Sequence, residues 1–343
     1  MENNGLEGGE MERNVLIDRL KGYACFLVLF GHVIRGIRTA GISIPQFFEG
    51  IELLIWSFHV ALFLFLSGVV YRMGGGWKNY GTRHGFVLHK LLSLGIPYVV
   101  FSVVYIAINS LVGAANTQSS ISDILLIWKI PVAQYWYLYA LFFLFCIWVV
   151  LSGILNNWQI TVFTLIIAYG IPLLGGSLGC FEVVFYSSLA FGVGTFVSFH
   201  RLATPKPWLK WLIVLMHLMA GAVCVHLKII ESPWIKEGML LFGIYASVLL
   251  ISILQNCKLI ARFLDFMNRY SFQIYLLHTI FTAGSRIILL RLHITQWWIH
   301  VPVGTVFGIA FSVLAAMIAN KVRFLNFFFF PTKVLRLKKH VSK

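Results

Sequence analysis

Lys21 and His32 stand eleven residues apart in the first long apolar stretch of the chain. In a helix that is about three turns, so both side chains share one face, about 16 Å apart along the axis. Asp18 falls within about 40° of the same face. Histidine titrates near neutrality and suits the removal of a proton from a hydroxyl. An ionisable group inside an apolar helix is costly, which makes His32 the leading candidate for a catalytic base. Each residue also has a plain structural reading. His32 can bond a carbonyl of a neighbouring helix, and Arg19 and Lys21 are ordinary first-turn topological charges. Asp18 can serve as a helix N-terminal acid or as the partner of Lys21 three residues on.

Further polar residues sit in apolar surroundings. His59 and then Ser67-Gly68 lie in the second stretch, Glu182 opens the sixth, and His278 lies in the ninth after Ser271 and Tyr275. His32, His59, Glu182 and His278 all fall at middle-to-outer depth, and that convergence marks a candidate site. Ser67 and Gly68 are small enough to let a ligand approach, although close helix packing is the favoured reading. Trp136, within Gln134-Tyr135-Trp136-Tyr137-Leu138, belongs to an interfacial aromatic belt or, more sharply, to a sugar-stacking platform. Arg72, Arg83 and Lys90 flank a Gly-rich basic loop, 72–85. Singly they are topological charges; together they form a place for a phosphate-bearing cofactor.

The elements that must position these residues are membrane helices. Of 343 residues, 59% are hydrophobic and 11% charged, with a mean hydropathy of +0.85, a composition that excludes an ordinary soluble domain. The net charge of +15 is spread over short loops rather than one basic domain. That pattern fits topology and anionic lipid headgroups, and no nucleic-acid partner is expected. Ten segments meet the length rule of about 20 apolar residues, at 15–35, 52–71, 86–111, 134–152, 160–175, 181–199, 209–228, 237–254, 268–290 and 299–320. With both termini cytoplasmic, about twenty basic residues fall inside against about seven outside. The expected fold is therefore an all-α integral membrane bundle of about ten helices. Residues 1–12 form a disordered tail, 13–330 the membrane domain and 331–343 a basic cytoplasmic tail. The first apolar run has no cleavage site and is expected to remain in the protein.

Several chemistries have no sequence support. The five cysteines lack CxxC spacing, HExxH is absent, and no metal site is expected. GxSxG, P-loop and dinucleotide fingerprints are also missing.

Asp18-x-x-Lys21-Gly22, His32 after a further run of apolar residues, and Phe58-His59, Phe63 and Ser67-Gly68 together resemble the acyltransferase-3 family. Lys90, Pro97-Tyr98, Trp136-Tyr137-Leu138 and Ser271, Tyr275 and His278 extend the resemblance over nearly the whole chain. It is nearest to the fucose- and exopolysaccharide-type O-acetyltransferases of bacterial surface glycans. The resemblance implies a multi-pass protein of the bacterial inner membrane. It further implies transfer of an acyl group, in the first place acetyl, from cytosolic acyl-CoA to a hydroxyl of a polysaccharide or polyprenyl-linked saccharide. His32 would deprotonate the acceptor, Lys21 would stand at the cytoplasmic mouth near the acyl-CoA, and Lys90 would begin the cofactor motif. Ser93 replaces the second basic residue of that motif, which leaves Arg83 or Arg72 as substitutes. Val60-Ala61 replaces the usual Met-Pro, a change in helix shape. The competing class is a transporter or flippase of a lipid-linked saccharide, which also uses intramembrane charges and a basic inner face. Against it, no repeat or pair of broken helices is visible.

Overall fold

The computed structural model describes residues 14–112 and 120–336. The expected disordered tail, 1–12, and the end of the basic tail, 337–343, lie outside the described residues. Among the described residues the regular structure is entirely helical. The long elements are α1 (Val15–Thr39), α2 (Gln46–Met73), α3 (Arg83–Leu111), α4 (Ala133–Leu151), α5 (Asn157–Leu173) and α6 (Gly179–Phe196). They continue with α7 (Pro207–His226), α8 (Pro233–Leu254), α9 (Lys258–Arg269), α10 (Ser271–Arg291) and α11 (Trp297–Lys321). Among the described residues, nine of these are long and apolar enough to cross a membrane, and α5, with 17 residues, is a shorter apolar helix. The end carrying Asp18 and Lys21 is called the inner end here, after the charge bias of the loops.

α9 is absent from the expected segments. It is amphipathic, burying Ala261, Leu264 and Met267 while Leu259, Phe263 and Phe266 stay exposed among Lys258, Arg262 and Arg269. Its 12 residues are too few to span and suit an interfacial position. Arg19 of α1 pairs with Asp265 of α9 at 3.1 Å, and Gly22 lies so close to the Leu264 carbonyl that a Cβ there would collide with it. The glycine after Lys21 therefore serves a helix crossing.

α1 starts where the Asn14 side chain accepts the Ile17 N–H at 3.2 Å, with Asp18 in its first turn, both favourable at a helix N-terminus. It then runs through the middle of the bundle against α2, α9, α10 and α11. In its apolar stretch 61% of residues are buried, against 17% for the peripheral α7. α2 packs on α1, α6 and α8. Gly68 meets the Phe191 carbonyl of α6, and Gly194 of α6 meets the Phe65 carbonyl. These reciprocal glycines bring two backbones into contact, the small-residue packing that membranes favour. Gly68 is thus a packing residue, which leaves Ser67 beside it on the surface of a pocket.

Candidate active site

A cavity of about 1510 Å³ opens among the outer halves of these helices and is lined by His32, His59 and Tyr137, among others. The His32 ring centroid lies 5.0 Å from that of His278 on α10 and 5.2 Å from that of Trp56 on α2. Trp56 in turn lies 5.1 Å from His59. α1 and α2 thus place two imidazoles, His32 and His59, against one indole, and α10 adds His278 on the other contact of His32.

Hydrogen bonds fix the protons of two of these rings. Nδ1 of His59 lies 2.7 Å from the Ile55 carbonyl, and Nδ1 of His278 lies 2.8 Å from the Ile274 carbonyl. A carbonyl only accepts, so Nδ1 carries the hydrogen and Nε2 of the neutral ring is a bare acceptor. Both residues are fully buried, at 1% and 0% exposure, and among the described residues neither Nε2 has a hydrogen-bond partner. His32 is half-buried on the cavity wall. The three imidazoles do not form a metal-holding group among the described residues.

The first turn of α4 is bonded to the stretch of α10 that carries His278. Tyr135 donates to the Leu276 carbonyl at 2.8 Å, Tyr275 donates to the Gln134 carbonyl at 2.7 Å, and the Gln134 amide donates to Thr279 at 2.7 Å. An interfacial aromatic belt is therefore the wrong description of Tyr135, which is fully buried and bonded. Trp136 and Tyr137 are half-buried and line the cavity.

Glu182 also lines the cavity, but as an exposed residue at the start of a short helical turn. The buried acid near the histidines is Glu52, which the sequence reading missed. Its side chain is 1% exposed and pairs with Arg35 at 2.5 Å and Arg38 at 2.9 Å. Arg35 also lies over the Trp56 ring, 3.3 Å from its centroid. A buried carboxylate needs such a partner. Glu52, the second acid of the apolar run after Pro45, and two bases one turn apart at the end of α1 were the available signal.

A second pocket, of about 200 Å³, lies toward the inner end and is lined by Lys21, Ser67, Tyr71, Tyr80 and Lys90. Lys21 pairs with Asp18 at 3.9 Å, so Asp18 faces Lys21. Lys90 lies over the Phe145 ring, 4.1 Å from its centroid. Burial pushes the Tyr80 phenol above its usual range, keeping it a neutral hydroxyl donor at ordinary pH. Just after Lys90, residues Leu91–Gly95 form a π turn, a feature that recurs at functional sites. Ser93, within that turn, donates to the Lys90 carbonyl at 3.4 Å.

Neither Arg72 nor Arg83 lines this pocket. Arg72 donates to the Phe196 carbonyl at the end of α6, and Arg83 lies over the Trp77 ring at 5.2 Å. The two spaces are linked by a polar contact: the Ser67 hydroxyl, on the inner pocket, lies 3.2 Å from the Tyr137 hydroxyl, on the outer cavity.

No curated protein and no solved structure matches the chain. The family profile described as an acyltransferase domain, that of acyltransferase-3, matches residues 14–317. With that match extending from the first turn of α1 into α11, the chain belongs to the acyltransferase-3 family and is a multi-pass membrane acyltransferase.

Proposed function

We propose that the protein is an O-acyltransferase of the bacterial inner membrane that uses cytosolic acyl-CoA, in the first place acetyl-CoA, as donor. The acceptor is a hydroxyl of a cell-surface polysaccharide or of its polyprenyl-linked precursor. The observation that carries this reading is the pair of back-to-back spaces. Lys21 and Lys90 line the inner one, His32 lines the outer one, and the hydroxyls of Ser67 and Tyr137, one on each space, are in contact. Two cations suit an anionic donor arriving from the inner end, and the outer cavity is large enough for a sugar ring or more.

In the proposed reaction His32 takes the proton of the acceptor hydroxyl as its oxygen attacks the thioester carbonyl. The carbon–sulfur bond breaks, the acyl group passes to oxygen, and the proton on His32 leaves with the departing thiolate. His278 abuts His32 and positions it, and Trp136 walls the acceptor space. Lys21 and Lys90 hold the donor, with Asp18 fixing Lys21.

The test is glycan O-acylation, read by NMR of the purified polysaccharide from cells carrying His32→Ala. Loss of the ester signal is expected, and wild-type acylation would sink the assignment of His32. Vesicles given labelled acetyl-CoA address the transporter alternative, because only an enzyme moves label onto glycan.

A further inference from the structure

Arg286 is a buried cation whose charge the described structure does not neutralise. It lies five residues before the end of α10, is 8% exposed and lines the outer cavity. Among the described residues no carboxylate lies within ion-pair distance of it, whereas Arg35 and Arg38 share Glu52. A guanidinium stays charged at any physiological pH and carries five donors in a flat fork that matches carboxylate and phosphate oxygens. Burying it without an anion is unfavourable, so a charge-bearing ligand would gain by completing the pair.

The surroundings are built for this side chain. Gly36 faces it so closely that a Cβ at position 36 would run into its Nη1. Gly36 is one turn beyond His32 on α1, about 6 Å along the axis toward the outer end. Tyr105 and Asn109 are four residues apart on α3 and line the same space, hence on one helix face. The Asn109 amide nitrogen is buried and has no hydrogen-bond partner among the described residues. The Arg286 guanidinium and the Asn109 amide nitrogen are thus donors on the wall of one cavity.

We propose that Arg286 binds an oxyanion, a carboxylate or a phosphate, carried by the acceptor saccharide or by its lipid carrier. Anchored there, the acceptor is held one helical turn from His32 and presents a hydroxyl to it. This rests on the acyltransferase reading for the identity of the ligand as acceptor, while the anion site itself does not depend on it.

The experiment is isothermal titration of the detergent-purified full chain with three probes: tri-galacturonate, a short-chain polyprenyl phosphate and neutral maltotriose. At least tenfold tighter binding of one anionic probe than of maltotriose is expected, with that advantage lost in Arg286→Gln and partly kept in Arg286→Lys. Gly36→Ala, which leaves the charge but displaces the guanidinium, should lose it as well and covers the case in which Arg286→Gln does not fold. A response to tri-galacturonate places the charge on the sugar, and a response to the polyprenyl phosphate places it on the carrier. Equal binding of all three probes, or anion binding unchanged in Arg286→Gln and Gly36→Ala, overturns the proposal. The titration contains no acyl-CoA, so a failed His32→Ala test would not be confused with a failed anion site.

Discussion

Ser67 and Tyr137 meet hydroxyl to hydroxyl at 3.2 Å, with Ser67 facing the inner pocket and Tyr137 the outer cavity. In the proposed reaction the acyl arm of the donor has to pass this contact. Size and hydrogen bonding at position 67 therefore have separable effects. Ser67→Ala removes one net hydrogen bond, about 1 kcal/mol, and should slow transfer by about fivefold or less. Ser67→Phe fills the gap and should lower label transfer from acetyl-CoA to glycan by about 100-fold or more in vesicles, while the folded yield stays close to wild type. A wild-type rate in Ser67→Phe would show that the donor takes another route.

The basic residues near the inner pocket should separate by assay. Lys90→Ala removes a cation from the pocket wall, and loss of a charge-assisted contact of about 1.5–3 kcal/mol should raise the KM for acetyl-CoA by about 10-fold or more. Arg72→Ala instead removes the donor that satisfies the Phe196 carbonyl at the end of α6. It should lower the unfolding temperature in detergent and leave that KM near wild type. If Arg72→Ala changes the KM as much as Lys90→Ala, the donor reaches further around the loop than the pocket does.

The spacing of Lys21 and His32 was legible because it depends only on helix period, and helix period is nearly independent of tertiary context. The convergence of His32 with His278 was legible as similar depth, since apolar length fixes depth. Their contact was not, because which helices touch is decided by packing residues such as Gly68 and Gly194, whose small size has no periodic signature. Glu52 was passed over for a related reason. An acid in an apolar run is informative only with its partners, and Arg35 and Arg38 alone read as ordinary charges at a helix end. α9 escaped notice because hydropathy windows detect spans, and an amphipathic helix of 12 residues averages to neither apolar nor polar.

Glu52 should be among the most stability-critical side chains in the bundle. Its buried carboxylate pairs with Arg35 and Arg38 at 2.5 and 2.9 Å, and because both arginines reach solvent the loss is that of charge-assisted hydrogen bonds, about 1.5–3 kcal/mol. Glu52→Gln leaves two guanidiniums without their counter-charge beside Trp56. A clear fall in unfolding temperature is expected, measured on the detergent-purified protein. Adding Arg38→Met, which removes one of the stranded charges, should recover part of the loss. If Glu52→Gln unfolds at the wild-type temperature, solvent reaches these groups and the pair contributes little.

His278 should act as a positioning residue for His32, and its substitutions can tell that role from simple packing. Its Nδ1 hydrogen is committed to the Ile274 carbonyl, so its bare Nε2 can accept from a ring N–H of His32, whose centroid is 5.0 Å away. Such an acceptor fixes which nitrogen of His32 is left basic toward the acceptor hydroxyl. His278→Leu keeps the bulk but removes the acceptor, and should lower kcat about 100-fold, within the range of general base effects, with little change in the KM for acetyl-CoA. His278→Gln restores an acceptor oxygen and should recover a substantial part of kcat. A merely structural histidine would give equal losses in both variants, accompanied by a lowered unfolding temperature, and that outcome would remove His278 from the catalytic arrangement.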